Sequence, residues 1–213
     1  MDSKAAEQDG RRLRGFTTRA KALEVAAELF ASQGYSATSI SSIAQAAGLH
    51  AASLYHAFGS KEGLLAAVVQ HASDEFYGYL EAMGDQLSPS AAISRLADAL
   101  ESRPLFLRLL LILVLEREHG DPALLQTAVE VRERGRAMIR SAIARHLPAD
   151  LSERQDQRLE DFSHLLMAFL DGIFIAQQVD VSPDRFRRLF ELIAEAMRSL
   201  FAADLFPDKS QDN

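Results

Sequence analysis

The chain has 213 residues, 48% of them hydrophobic and 25% charged, so it can bury a substantial core in one large or two small domains. It has no cysteine, which excludes disulfides, thiol catalysis and thiolate metal sites. The net charge of -7 is uneven: residues 11–61 hold six basic and two acidic side chains, a net of +4, whereas residues 62–213 hold 16 basic and 25 acidic, a net of -9.

The N-terminal MDSKAAEQDGRR has no apolar signal core. The most apolar run, Leu105 to Glu116, is broken by Arg108 and too short to span a bilayer, which leaves the cytoplasm as the compartment and no membrane partner. Residues 1–15 read as a flexible arm. Its RRLRG segment can reach into a minor groove or act as a tail attracted to DNA without specificity. From Thr17 the pattern turns helical, with Ala20, Leu23, Ala27 and Phe30 on one stripe and an end near Gly34.

Thr38 to Lys61 then holds two short helices and a tight turn. Ile40, Ile43, Ala44 and Ala47 form one apolar stripe, with Thr38 or Ser39 as N-cap, and Gly48 supplies the left-handed residue that ends the helix. In the second helix Leu54 and Phe58 point inward, while Ser53, Tyr55 and His56 face out. Phe30 and Tyr35 seal the small core with Ile43, Leu54 and Phe58. This is a helix-turn-helix, whose second helix enters a major groove. The excess of positive charge lies in the same stretch, as suits a protein that meets phosphate with one end only. Ser60 caps the next helix, and Lys61 stands in a first turn that disfavours a cation, which points to a phosphate partner.

From Thr17 to about Val69 the chain resembles the DNA-binding domain of TetR-type transcriptional regulators, through AAELFASQGYSATS, IAQAAGL, LYHAF and SKEGLL in that order. The resemblance implies that Tyr55 and Lys61 hold DNA phosphates, with Thr38 or Ser39 doing so at the start of the second helix. It implies that Ser41, His50, Ala51, Ala52 and Ser53 face base edges. His50, Ala52 and Ala57 depart from the family pattern, and Ala51 and Ala52 can offer only a methyl contact to thymine.

The fourth helix runs through Leu65, Val68, Phe76 and Leu80 to Gly84, more than about 30 Å at 1.5 Å per residue, a rod from head to body. Beyond it the chain reads as all helix. SPSAAISRLADALES begins at Ser88 and Pro89, and RPLFLRLLLILVLEREH is apolar nearly all round and so expected at the centre. A long mixed helix follows to Pro148. Two closing helices have wide apolar faces, the second starting after a Ser182-Pro183 cap. The expectation is an all-α protein of about nine helices: residues 1–69 a DNA-binding head, residues 70–213 a ligand-binding and dimerisation bundle.

The last two helices are expected to form a four-helix bundle between two subunits through Phe169, Ile173, Phe186, Phe190, Ile193 and Met197, an arrangement the resemblance also implies; the alternative spends both stripes in the monomer core. The resemblance further implies a small, apolar effector inside the body. Phe76, Met83, Phe106, Leu110, Met138, Met167 and Phe174 are candidates to line its cavity, and Arg108, Arg136, His164 and Asp171 to orient it. No cofactor and no metal site is expected, since no two histidines stand at i, i+4. No GxSxG motif, dinucleotide fold or phosphate loop suggests an enzyme. The reading is a ligand-responsive repressor on a palindromic operator, against a DNA-binding organiser of low specificity or a small-molecule-binding protein without a regulatory DNA site.

Overall fold

The computed structural model describes residues 2–82, 84, 89–116, 122–145, 153–179 and 182–202, and all regular structure among these is helical. The elements are α1 (Asp2–Gln33), α2 (Ile40–Ala47), α3 (Ala51–Phe58), α4 (Lys61–Ala82), α5 (Pro89–Ser102), α6 (Pro104–Glu116), α7 (Pro122–Ala144), α8 (Glu153–Val179) and α9 (Pro183–Ala202). Ser88 and Pro148, two of the expected boundary residues, lie outside the described residues. The stretch expected as an arm is helical from Asp2 onward: α1 does not wait for Thr17. Its Ala, Glu, Gln, Arg and Leu residues have high helix propensity, which offsets Gly10 and Gly15.

The helices sort into two compact units, one of residues up to Glu75 with Pro104–Val131, the other of Phe76–Arg103 with residues from Arg132 on. The division passes through α4 and α7, so the head's compact unit also takes in α6 and the first part of α7. Its core includes Phe30 of α1, Ile43 of α2, and Leu64 and Leu65 of α4, all fully buried. The helix α6 packs on α1 with Phe106, Leu109, Leu110 and Leu113, one face at helical spacing. Its opposite side leaves Leu105, Arg108 and Leu115 exposed, which corrects the expectation of a central helix. An apolar sequence all round a short helix therefore supplied one buried face and an apolar surface.

In the second unit α5 packs against α9, joined by Arg187 to Asp98 and Glu101. The helices α7 and α8 run antiparallel, since Arg132 pairs with Asp171 at 2.8 Å, Arg136 with Glu160 and Arg140 with Asp156. Two side-chain ends come close to Gly135. A Cβ on Gly135 would lie 2.5 Å from the Tyr77 hydroxyl and 2.6 Å from the Met167 methyl, closer than atoms can pack. Ser182 accepts from the Arg185 amide at 3.4 Å, which is the expected cap of α9.

Candidate nucleic-acid interface

The loop before α2 resolves which residue caps it. Ser39 is extended (φ -114°, ψ 156°); its Oγ accepts from the Ser42 amide at 3.0 Å while Ser42 Oγ accepts from the Ser39 amide at 3.0 Å, a reciprocal capping box. Thr38, the alternative, is 1% exposed and its hydroxyl donates to the Gly34 carbonyl at 2.8 Å. Ser39 and Ser41 are exposed on the first turn of α2. At the other end Gly48 adopts φ 66°, ψ 36°, a left-handed conformation that a side chain disfavours. Its amide bonds to the Ala44 and Gln45 carbonyls, and the Leu49 amide reaches Ala44 O at 2.8 Å. That tight exit, with two residues before Ala51, fixes the angle between α2 and α3.

Helix α3 is anchored by Leu54, 2% exposed. Phe58, expected to point inward beside it, is half-buried: the guanidinium of Arg19 lies 4.6 Å from its ring centroid and donates to the Ala57 carbonyl at 3.5 Å. The opposite face presents Ala52, Ser53, Tyr55, His56 and Ala57 to solvent, with Ala51 half-buried at its edge. Tyr55 is 53% exposed, a large aromatic ring left on the outer face of α3. His50 is the N-cap of α3 and makes no side-chain cap bond.

Beyond α3, Ser60 Oγ accepts from the Gly63 amide at 3.0 Å and caps α4, as the sequence implies. Lys61 in that first turn is half-buried, with Nζ 4.1 Å from the centroid of the Tyr35 ring. The Tyr35 hydroxyl donates to Glu62 Oε1 at 2.7 Å. That bond, aided by Glu62's own amide, Ser60 and Lys61, holds the Glu62 carboxyl below its ordinary value against a weaker opposing effect of burial. Arg19 and Tyr35 are contributors that sequence periodicity does not reveal: one reaches Phe58 across 39 positions, the other reads as core filling.

The residues considered for an effector do not form one group. Phe106 and Leu110, buried, and Arg108, exposed, lie in the unit that holds the head; the others fall in the second unit. There Phe76 and Phe174 are buried, and Met138, Met167 and Asp171 are half-buried. Asp171 is already paired with Arg132, Arg136 is paired with Glu133 and Glu160, and His164 is exposed 3.4 Å from Glu160. Met83 lies outside the described residues. Tyr77, which sequence reasoning passed over, is buried against Gly135 and Met167, and burial pushes its hydroxyl up to about 12 against the opposing charges of Arg134 and Arg132.

Of the residues considered for a subunit interface, Ile173, Phe186 and Phe190 are buried within the chain, and Phe186 and Phe190 stack at 4.9 Å. Ile193 is half-buried, and the Met197 side chain lies outside the described ones. Phe169, in contrast, is 54% exposed. It belongs to a continuous outer stripe of α8, Leu165, Phe169, Gly172, Ala176 and Val179, spaced four, three, four and three. Leu192 on α9 is also exposed. The stretch Gln155–Val179 is long and apolar enough to cross a membrane by length and composition, although little of it is buried. Among the described residues no three acidic or imidazole groups cluster as metal ligands.

Residues 22–68 match the family model of bacterial regulatory proteins of the tetR family. Over 79 residues the chain is 38% identical to the HTH-type transcriptional repressor KstR2 of Rhodococcus jostii, covering 37% of this chain and 39% of that one. Over 72 residues it is 38% identical to KstR2 of Mycolicibacterium smegmatis, with 33% and 35% covered. The chain thus spans under two fifths of the curated relatives it matches. Among solved structures, a transcriptional regulator from Rhodococcus sp. Rha1 superposes with TM-score 0.72 at 16% identity, over 89% of this chain and 99% of that one. A regulator from Saccharomonospora viridis in complex with choline gives TM-score 0.65 at 19% identity, over 83% and 95%. The all-α fold expected from the sequence is therefore the fold of these regulators.

Proposed function

We propose that the chain, whose residues 22–68 match the model of the tetR family of bacterial regulatory proteins, is a cytoplasmic transcriptional repressor that binds a palindromic operator as a homodimer and is released by a small apolar molecule. The observation that carries this reading is the outer face of α3, where Ser53, Tyr55 and His56 stand exposed on a helix anchored by Leu54 and set at a fixed angle by Gly48. In the major groove that face meets base edges through Ser53 and His56, with methyl contacts from Ala51 and Ala52. Tyr55, Lys61 and Ser39 take backbone phosphates; Thr38, its hydroxyl turned to Gly34, supports the cap from inside. One such helix reads few base pairs, so a second copy is required, and the exposed stripe of α8 is the surface that suits it. Lipid is a poor alternative partner for α8, because Glu160 and Asp171 inside the apolar stretch are ion-paired to α7. No reaction is ascribed to the protein.

Release follows from a coupling free energy: an effector that prefers the DNA-incompetent state weakens DNA affinity by the factor by which DNA weakens its own. The choline complex of a protein of the same fold supports a small organic effector, and the buried surroundings of Phe76, Tyr77, Met167 and Phe174 support an apolar one.

Fluorescence anisotropy of the full chain against DNA from upstream of its own coding region and against scrambled DNA, over a salt series, tests the reading. Tight binding to the first that survives physiological salt supports it. Equal and steeply salt-sensitive binding to both favours a DNA organiser of low specificity, a role that the alanines at 51, 52 and 57 would suit. Lys61→Ala and Tyr55→Phe are expected to weaken binding to all sequences alike, and Lys61→Ala to lower the salt slope by about 0.9 per head; a changed sequence preference would place these side chains at bases instead.

A further inference from the structure

We propose that Tyr35 is a positioning residue for DNA binding: its ring holds the Lys61 ammonium at the mouth of α4, and its hydroxyl keeps the Glu62 carboxylate from neutralising that ammonium. The proposal rests on Lys61 as a phosphate contact.

Lys61 stands in the first turn of α4, where the helix presents its positive end and a cation is disfavoured. A free lysine there would spread over many rotamers and turn toward the carboxylate next to it in sequence. The structure has a different arrangement. Nζ lies 4.1 Å from the centroid of the Tyr35 ring, whose negative face attracts a cation. The same tyrosine's hydroxyl donates to Glu62 Oε1 at 2.7 Å, and a carboxylate oxygen held by that bond is less available to the ammonium. One side chain thus acts on both neighbours of opposite charge.

Tyr35 can do this because it is itself fixed. Its ring lies 5.5 Å from that of Phe30, which is fully buried in the head's core. The backbone at Tyr35 is tied as well, since its carbonyl accepts from the Thr38 amide at 3.1 Å and Thr38 in turn bonds to Gly34. A line of contacts therefore runs from the core through Phe30 and Tyr35 to Lys61. An ammonium held in advance loses less freedom on meeting phosphate, so the tyrosine raises affinity without touching DNA.

The test is a double-mutant cycle on the full chain, read as anisotropy on a scrambled duplex of about 20 base pairs, since phosphate contacts do not depend on sequence. Tyr35→Leu is expected to weaken binding by about threefold to tenfold per head in the wild-type background and by less than about twofold in Lys61→Ala. Its salt slope should stay near that of the wild type because the charge remains. Equal loss in both backgrounds would show that the ring acts only through the fold, and would overturn the proposal. Should Tyr35→Leu fail to fold, Tyr35→Phe keeps the ring and its packing: weakening by about twofold to threefold, restored by Glu62→Gln, is expected. Binding equal to wild type, or no restoration, overturns the proposal. If Lys61→Ala leaves affinity and slope unchanged, the phosphate reading of Lys61 falls, and this proposal with it. If Lys61→Ala weakens binding and the cycle shows no coupling, the phosphate reading stands and only the role of Tyr35 falls.

Discussion

Leu165→Arg combined with Phe169→Arg is expected to convert the protein to monomers in sedimentation and to lower operator affinity by roughly 10²- to 10⁴-fold. Both side chains are more than half exposed on one stripe of α8, so the arginines replace apolar surface without entering the chain's own core. Two heads joined in one dimer bind the second half-site as an intramolecular event, and the loss of that linkage is what the affinity reads. Melting of the single chain should change little, which separates this effect from unfolding. Ile173→Arg makes the contrast: that residue is buried within the chain, so its substitution should damage folding first. A tight dimer that survives the double arginine change would move the interface off α8.

The second large effect is expected at Phe30. Its ring is fully buried, adjoins Tyr35 at 5.5 Å and lies on α1, which packs against the short helix α2. Phe30→Ala removes most of that ring's burial and leaves a cavity that backbone-capped helices on either side cannot close, so destabilisation of about 3–5 kcal/mol is expected. Against a total stability of about 5–15 kcal/mol, such a loss leaves a large unfolded population on warming. Denaturant titration followed by far-UV circular dichroism measures it. A loss below about 1 kcal/mol would mean that Tyr35 and its neighbours relax into the space.

These two positions also show what a sequence discloses and what it does not. Phe30, Ile43 and Leu54 are legible because their partners are three or four residues away along the same helix, and that spacing alone selects the inward face. Ser39, Gly48 and Ser60 are legible because a cap or a left-handed residue has a chemical signature at one position. The interface residues are less so. A helix apolar on more than half its circumference leaves open which part faces the chain's own core, and on α8 Ile173 turned inward while Phe169 stayed out. The same ambiguity misplaced α6, whose ring of leucines became one buried face against α1. Contacts made across long separations leave no periodic trace: Arg19 on Phe58, Lys61 on Tyr35, and the approach of Tyr77 to Gly135 emerge only from the fold. For that reason the two short helices, their caps and the exposed side of α3 could be drawn from sequence, whereas the effector candidates were spread over two compact units.

The bare start of α3 has a consequence for amide exchange. The Ser42 amide of α2 is held by the Ser39 side chain, whereas in α3 the Ser53 amide bonds to the His50 carbonyl at 2.9 Å and His50 lends no side-chain cap. The opening turn of α3 is therefore expected to exchange hydrogen for deuterium sooner than that of α2, which amide-resolved exchange would measure. On the proposed reading, the face offered to DNA begins at a turn that no side chain of the preceding residue caps.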